Sequence, residues 1–127
     1  LYYATKRIKN TIFKLRVMTL NIEEISFQII LNGGNARSLA AESINHAKAG
    51  EFALAEQKIE EANEAMTIAH RFQTNLIKGE ASGEKLEISI LLIHAQDHLM
   101  NAMTVIDLAK EIIELYKKTN ELECRKC

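Results

Sequence analysis

Three polar side chains crowd into the run His94-Ala95-Gln96-Asp97-His98. On a helix His94, Asp97 and His98 fall at i, i+3 and i+4, so they share one face. That spacing admits three kinds of chemistry. Histidine and carboxylate at helical spacing can chelate a metal such as zinc. A histidine beside a carboxylate can act as nucleophile or acid-base group. The third reading is a solvated polar flank without chemistry, since such residues are common on helix surfaces. Spacing alone leaves all three open.

Other catalytic signatures are missing. No His-Glu-x-x-His occurs, and no Glu has a His three residues later, as a di-iron bundle requires. There is no Gly-rich loop with a Lys for nucleotide phosphates and no Ser elbow. Cys124 and Cys127 form a Cys-x-x-Cys in the last four residues. With no second ligand pair or positioning helix legible around them, they are taken as reduced bystanders.

The elements that must carry these residues are helical. In 127 residues there is no Pro and no Trp, only 5 Gly, and many Ala, Glu, Lys, Ile and Leu, a composition biased to helix. The length suits one domain with a real core. No apolar run approaches the ~20 residues that span a bilayer, and no secretory signal is recognisable, so a cytoplasmic location is expected. Residues 1–17 hold five basic residues and no acidic one. Such a stretch can touch nucleic acid or anionic lipid, but Met18-Thr19-Leu20-Asn21 reads as a natural start. Residues 1–17 are therefore assigned to a disordered or non-native extension, and no nucleic-acid partner is expected.

Asn21-Ile22-Glu23-Glu24 has the spacing of a capping box and opens the first helix. Ile25, Ile29, Ala36, Leu39, Ala40, Ile44 and Ala47 line it, and Gly50 stops it in the C′ position. Gly33-Gly34 inside it costs about 1 kcal/mol per Gly relative to Ala, which demands a kink or a close neighbour. The second helix begins near Glu51. Its seam is Phe52, Ala55, Ile59, Ala62, Met66, Ala69, Gln73 and Leu76, broken only by Gln73, and Gly79 ends it. A polar loop over 79–84 leads to the third helix. Its seam is Ile88, Leu92, Ala95, Leu99, Ala102, Ile106, Ala109, Ile113 and Tyr116.

Short links between long helices predict an all-α, antiparallel, up-down-up three-helix bundle over residues 18–120, followed by a tail over 121–127. The third helix also carries Ile90, Leu91, Ile93, Met103 and Val105 beside its seam. A helix apolar on most sides needs burial on most sides. A homo-oligomer packed through this helix follows.

Four segments occur in order: Asn35-Ala36-Arg37-Ser38-Leu39-Ala40, Ala47-Lys48-Ala49-Gly50-Glu51-Phe52, Ala69-His70-Arg71-Phe72-Gln73-Thr74 and His94-Ala95-Gln96-Asp97-His98-Leu99-Met100. Over about residues 22–118 the chain resembles the lactose/cellobiose family of IIA components of the bacterial phosphotransferase system. The resemblance implies a homotrimer of three-helix subunits, a nine-helix bundle. It implies that His94 is phosphorylated by the carrier protein HPr and passes the phosphoryl group to a cysteine of the IIB component, in association with a membrane IIC. It also implies that Asp97 meets its symmetry mates around a metal on the three-fold axis.

Physical chemistry accommodates these roles. An ordinary imidazole titrates near about 6.5, so at neutral pH it is largely uncharged and nucleophilic. Phosphoryl transfer asks mainly for positioning and charge stabilisation. Gln96 and His98 are nearby donors for phosphoryl oxygens, Gln96 being the favoured one. Two carboxylates about 4 Å apart repel by roughly 4 kcal/mol at an effective dielectric near 20, so three Asp97 groups on an axis need protons or a cation, and oxygen ligands suit Mg²⁺. His70 reads as structural, His46 as favouring a helix C-terminus, and Met100 and Met103 as packing. Ala95 and the segment Gln73-Thr74-Asn75-Leu76-Ile77 lean toward a cellobiose/diacetylchitobiose branch rather than lactose. The alternatives are a metal-dependent helical enzyme and a non-catalytic helical interaction module.

Overall fold

In the computed structural model, which describes residues 2–18 and 21–127, every regular element is a helix: α1 (Tyr2–Met18), α2 (Ile22–Lys48), α3 (Phe52–Ala81) and α4 (Ile90–Arg125). Thr19 and Leu20, part of the start read at Met18, lie outside the described residues.

The ends of α2 follow the sequence signals closely. The Asn21 side chain accepts from the Glu24 N–H at 2.8 Å, and the Asn21 N–H donates to the Glu24 carboxylate at 3.0 Å. Two otherwise orphaned helix donors are thereby satisfied. At the other end Gly50 takes φ +78°. Its N–H donates to the Ala47 carbonyl and that of Glu51 to the His46 carbonyl. This is the paired bonding of a Schellman stop.

Helix α3 corrects one boundary. It runs through Gly79 and stops two residues later, with Gly83 at φ +96° as the left-handed residue. Gly83 donates to the Glu80 carbonyl and Glu84 to the Gly79 carbonyl, so the same stop recurs around a different glycine. The start of α4 is also later than its apolar pattern predicts. Ser89 is the N-cap, accepting from the Leu92 N–H at 3.1 Å. Ile88 therefore lies outside the helix and is exposed rather than seamed.

Both chain ends are more helical than expected. The extension assigned to disorder is α1, and its described side chains (residues 3–9, 11 and 12) are exposed. Between residues 2 and 18 no Gly or Pro interrupts the chain, and Thr11 bonds back to the Arg7 carbonyl at 2.9 Å. Local propensity thus favours the helical form. The tail expected from residue 121 instead continues α4 to Arg125, and both free cysteines are exposed there.

The core is made by α2, α3 and α4. One cluster joins the C-terminal half of α2 (Ala36, Ala40, Ala47), the N-terminal half of α3 (Ala55, Ile59, Ala62, Ala65) and the C-terminal half of α4 (Ile106, Ala109, Ile113). The other joins Ile25 and Ile29 with Ala69, Phe72 and Leu76 and with Leu92, Ala95 and Leu99. Among the described residues, ten of the nineteen buried apolar ones are Ala. Small residues let helix axes approach closely, but they bury little area each. Ser26 and Ser43, also buried, satisfy their hydroxyls on the Ile22 and Ala40 carbonyls of their own helix.

Salt bridges pin the outer edges. Lys58 of α3 reaches Glu42 of α2 and Glu61, and hydrogen bonding to Glu42, then Glu61, raises its pKa. Lys117 of α4 likewise joins Glu56 of α3 and Glu114. Exposed pairs of this kind add little stability, so they fix register rather than hold the fold.

Candidate functional site

The site lies on the N-terminal half of α4, where the tight α2–α4 contact is made by a residue without a side chain. A Cβ on buried Gly33 would stand 3.6 Å from the His98 carbonyl oxygen and 3.7 Å from Leu99 Cα. The two glycines thus differ in their surroundings. A Cβ on Gly33 would make ordinary van der Waals contact with the α4 backbone, whereas one on Gly34 would meet nothing within 4 Å.

His94 and His98 meet directly. Their Nε2 atoms are 3.1 Å apart, and the rings stand nearly perpendicular at 82°, with centroids 4.5 Å apart. His94 is exposed and His98 half-buried. One ring must donate and the other accept, so a single proton occupies the space between the two nitrogens. An exposed imidazole can meet an electrophile arriving from solvent once its Nε2 lone pair is freed from this bond.

Gln96 is not part of that pair. Two residues along a helix turn the side chain by about 200°, away from His94. Gln96 is half-buried and accepts from the Gln73 amide of α3 at 2.6 Å. Gln73, read in the sequence as the polar break in an apolar seam, is the partner that sequence reasoning missed. The two glutamines border a cleft of about 240 Å³ lined mainly by Leu76, Ile77, Leu86, Ile88, Leu92 and Ile93. Within one chain the donor placed at His94 is His98, not Gln96.

Asp97 takes a third direction. It is exposed and accepts from the Asn101 amide at 3.3 Å. His94, Asp97 and His98 thus do not converge, and among the described residues no group of three His, Cys, Asp or Glu side chains is placed to hold a metal. Asp97 instead lies within an exposed apolar line formed by Ile90, Ile93, Met100, Leu108, Leu115 and Leu122. At 100° per residue this line is diametrically opposite the buried seam of Leu92, Ala95, Leu99, Ala102 and Ile106. His70 is exposed on α3. His46, expected to favour the end of its helix, also pairs with Glu51 at 3.0 Å across the Gly50 turn.

No described helix is long and apolar enough to cross a membrane. The family model for the lactose/cellobiose-specific IIA subunit of the phosphotransferase system matches residues 24–117. The lichenan-specific phosphotransferase enzyme IIA component of Bacillus subtilis is 56% identical over 104 residues, covering 82% of this chain and 94% of that protein. The crystal structure of the cellobiose-specific enzyme IIA from Bacillus anthracis superposes with a TM-score of 0.77 at 55% identity, over 82% of this chain and 96% of that one. The IIA(Chitobiose) of Escherichia coli, solved in solution as a complex with HPr, gives a TM-score of 0.71 at 40% identity, over 80% and 99%. On the family match and these identities, the chain belongs to the lactose/cellobiose-specific IIA family of the phosphotransferase system.

Proposed function

We propose that this chain is a cytoplasmic phosphocarrier: Nε2 of His94 accepts a phosphoryl group from HPr and delivers it to a cysteine of the cognate IIB component, which serves a membrane IIC. The supporting observation is the exposed His94 ring with its Nε2 held by His98 at 3.1 Å, in a family with a member solved bound to HPr. A rigid, well-formed helix supplies the positioning that phosphoryl transfer needs. The experiment is incubation with enzyme I, HPr and phosphoenolpyruvate. One phosphoryl group per subunit is expected, none in His94→Ala. Labelling that persists in that variant overturns the assignment.

The assembly belongs to the same reading. The two core clusters pair opposite halves of α3 with like halves of α2 and α4, which is what an up-down-up three-helix bundle requires. The exposed apolar line on α4 then packs against two further copies in a parallel homotrimer of nine helices. Asp97 lies on that line, so three carboxylates would gather near the axis. Their hard oxygen donors fit a divalent cation such as Mg²⁺, whose role there is to hold the subunits. Transport of a β-disaccharide of the cellobiose type accords with the relatives named for lichenan and cellobiose, and growth of a deletion strain on cellobiose, diacetylchitobiose and lactose separates the sugars.

A further inference from the structure

We propose that α1 is an interfacial helix that binds a membrane surface containing anionic lipid, lying on it through an apolar ridge and held by the cations on either side. Residues 1–17 carry Lys6, Arg7, Lys9, Lys14 and Arg16 and no acidic residue, so the segment is drawn to polyanions. It folds as a 17-residue helix, about 25 Å long at the usual rise per residue. The family model matches residues 24–117. Helix α1 therefore lies outside the matched domain and apart from the histidines of α4.

Ala4, Ile8 and Ile12 follow one another at i, i+4 and i+8 and so form one ridge along the helix. Ile8 and Ile12 are 58% and 59% exposed. At about 100° per residue, Thr5 and Thr11 border this ridge, and Lys9 and Arg7 stand about 100° to either side of its centre. All of these side chains are exposed. An apolar ridge with a cation on each flank suits a helix lying in the plane of a bilayer surface. The isoleucines enter below the headgroups while the long Lys and Arg stems reach back to the phosphates. Duplex nucleic acid offers the same phosphates but no apolar layer for Ile8 and Ile12, which favours lipid. No described helix is long and apolar enough to cross a membrane, so α1 rests on the surface. Held there, the carrier works at a raised local concentration beside its proposed IIC partner.

The test is co-sedimentation of the full chain with vesicles of phosphatidylcholine alone and of phosphatidylcholine with phosphatidylglycerol at about three to one. Binding to the anionic vesicles should be at least about ten-fold tighter than to the neutral ones and should weaken as salt rises. Arg7→Gln with Lys9→Gln removes the two flanking cations and should weaken it about thirty-fold. Ile8→Gln with Ile12→Gln leaves every charge in place and should weaken it about ten-fold or more. Gln is at least as good a helix former as Ile, so that loss reads the ridge and not the helix. Ile8→Leu with Ile12→Leu should bind like the parent. Equal affinity for the two vesicles, or full affinity in the Gln variant of the isoleucines, overturns the proposal. Duplex DNA that binds more tightly than the anionic vesicles and is indifferent to that variant also overturns it, and assigns α1 to nucleic acid. A protein isolated from its own cells whose intact mass begins at Met18 overturns it as well. Phosphate on His94 is read separately, so its failure and that of this proposal are distinguishable.

Discussion

Two histidines four residues apart on one helix need no long-range contact to meet, so His94 and His98 were legible as neighbours from their spacing. Within one chain Gln96 stands apart from His94. Its i+2 offset from His94 already turns it about 200° away, and its bond goes to Gln73 on α3. Asp97 occupies a third direction, among exposed apolar side chains. Its isolation within that line carries a prediction. Under the proposed axial site, equilibrium dialysis should find a divalent ion bound by the parent and lost in Asp97→Leu, while thermal unfolding should find the variant's proposed oligomer at least as stable as the parent's. Replacing gathered charges by packed apolar groups is often neutral or stabilising. A variant that falls apart would instead make the carboxylate a necessary part of the assembly.

Helix ends are local events, and most were readable. The Asn21–Glu24 box and the Gly50 stop need only residues within one turn. Gly79 misled because a glycine marks a stop only where the backbone turns left-handed, and that position is Gly83 at φ +96°. The two glycine classes predict opposite effects. Gly34→Ala, in mid-helix with open space at its Cβ, should raise stability by up to about 1 kcal/mol. Gly83→Ala forces a side chain into a left-handed residue and should lower it by roughly 1–2 kcal/mol. Urea midpoints at constant slope check both. Equal signs would show that helix propensity and turn geometry have been assigned to the wrong glycines.

At the level of the molecule, the alanine-rich core explains why so much of α4 is still apolar outside it. Ten alanines among the buried residues bring the helices close without using the large side chains, which are left on the opposite face of α4. Leu115 lies on that face, far from His94 along the helix and 64% exposed in the single chain. If α4 is the contact of the proposed trimer, Leu115→Lys should lower the native mass from trimer toward monomer without changing helix content, as read by native mass spectrometry and circular dichroism. An unchanged trimer mass would exclude this face as the subunit contact. The described side chains of the basic helix α1 are exposed.

The sequence by itself determined the three long helices, their buried seams and the shared face of His94 and His98, because periodicity, caps and i,i+4 spacing are properties of neighbours along one chain. Tertiary structure decided the rest. Gln96 could be matched to Gln73 only when α3 was laid against α4, and the nearness of Gly33 to the His98 peptide appeared only when α2 was laid against α4. These relations depend on the depth and rotation with which helices pack, set by many side chains at once, and no single spacing encodes them.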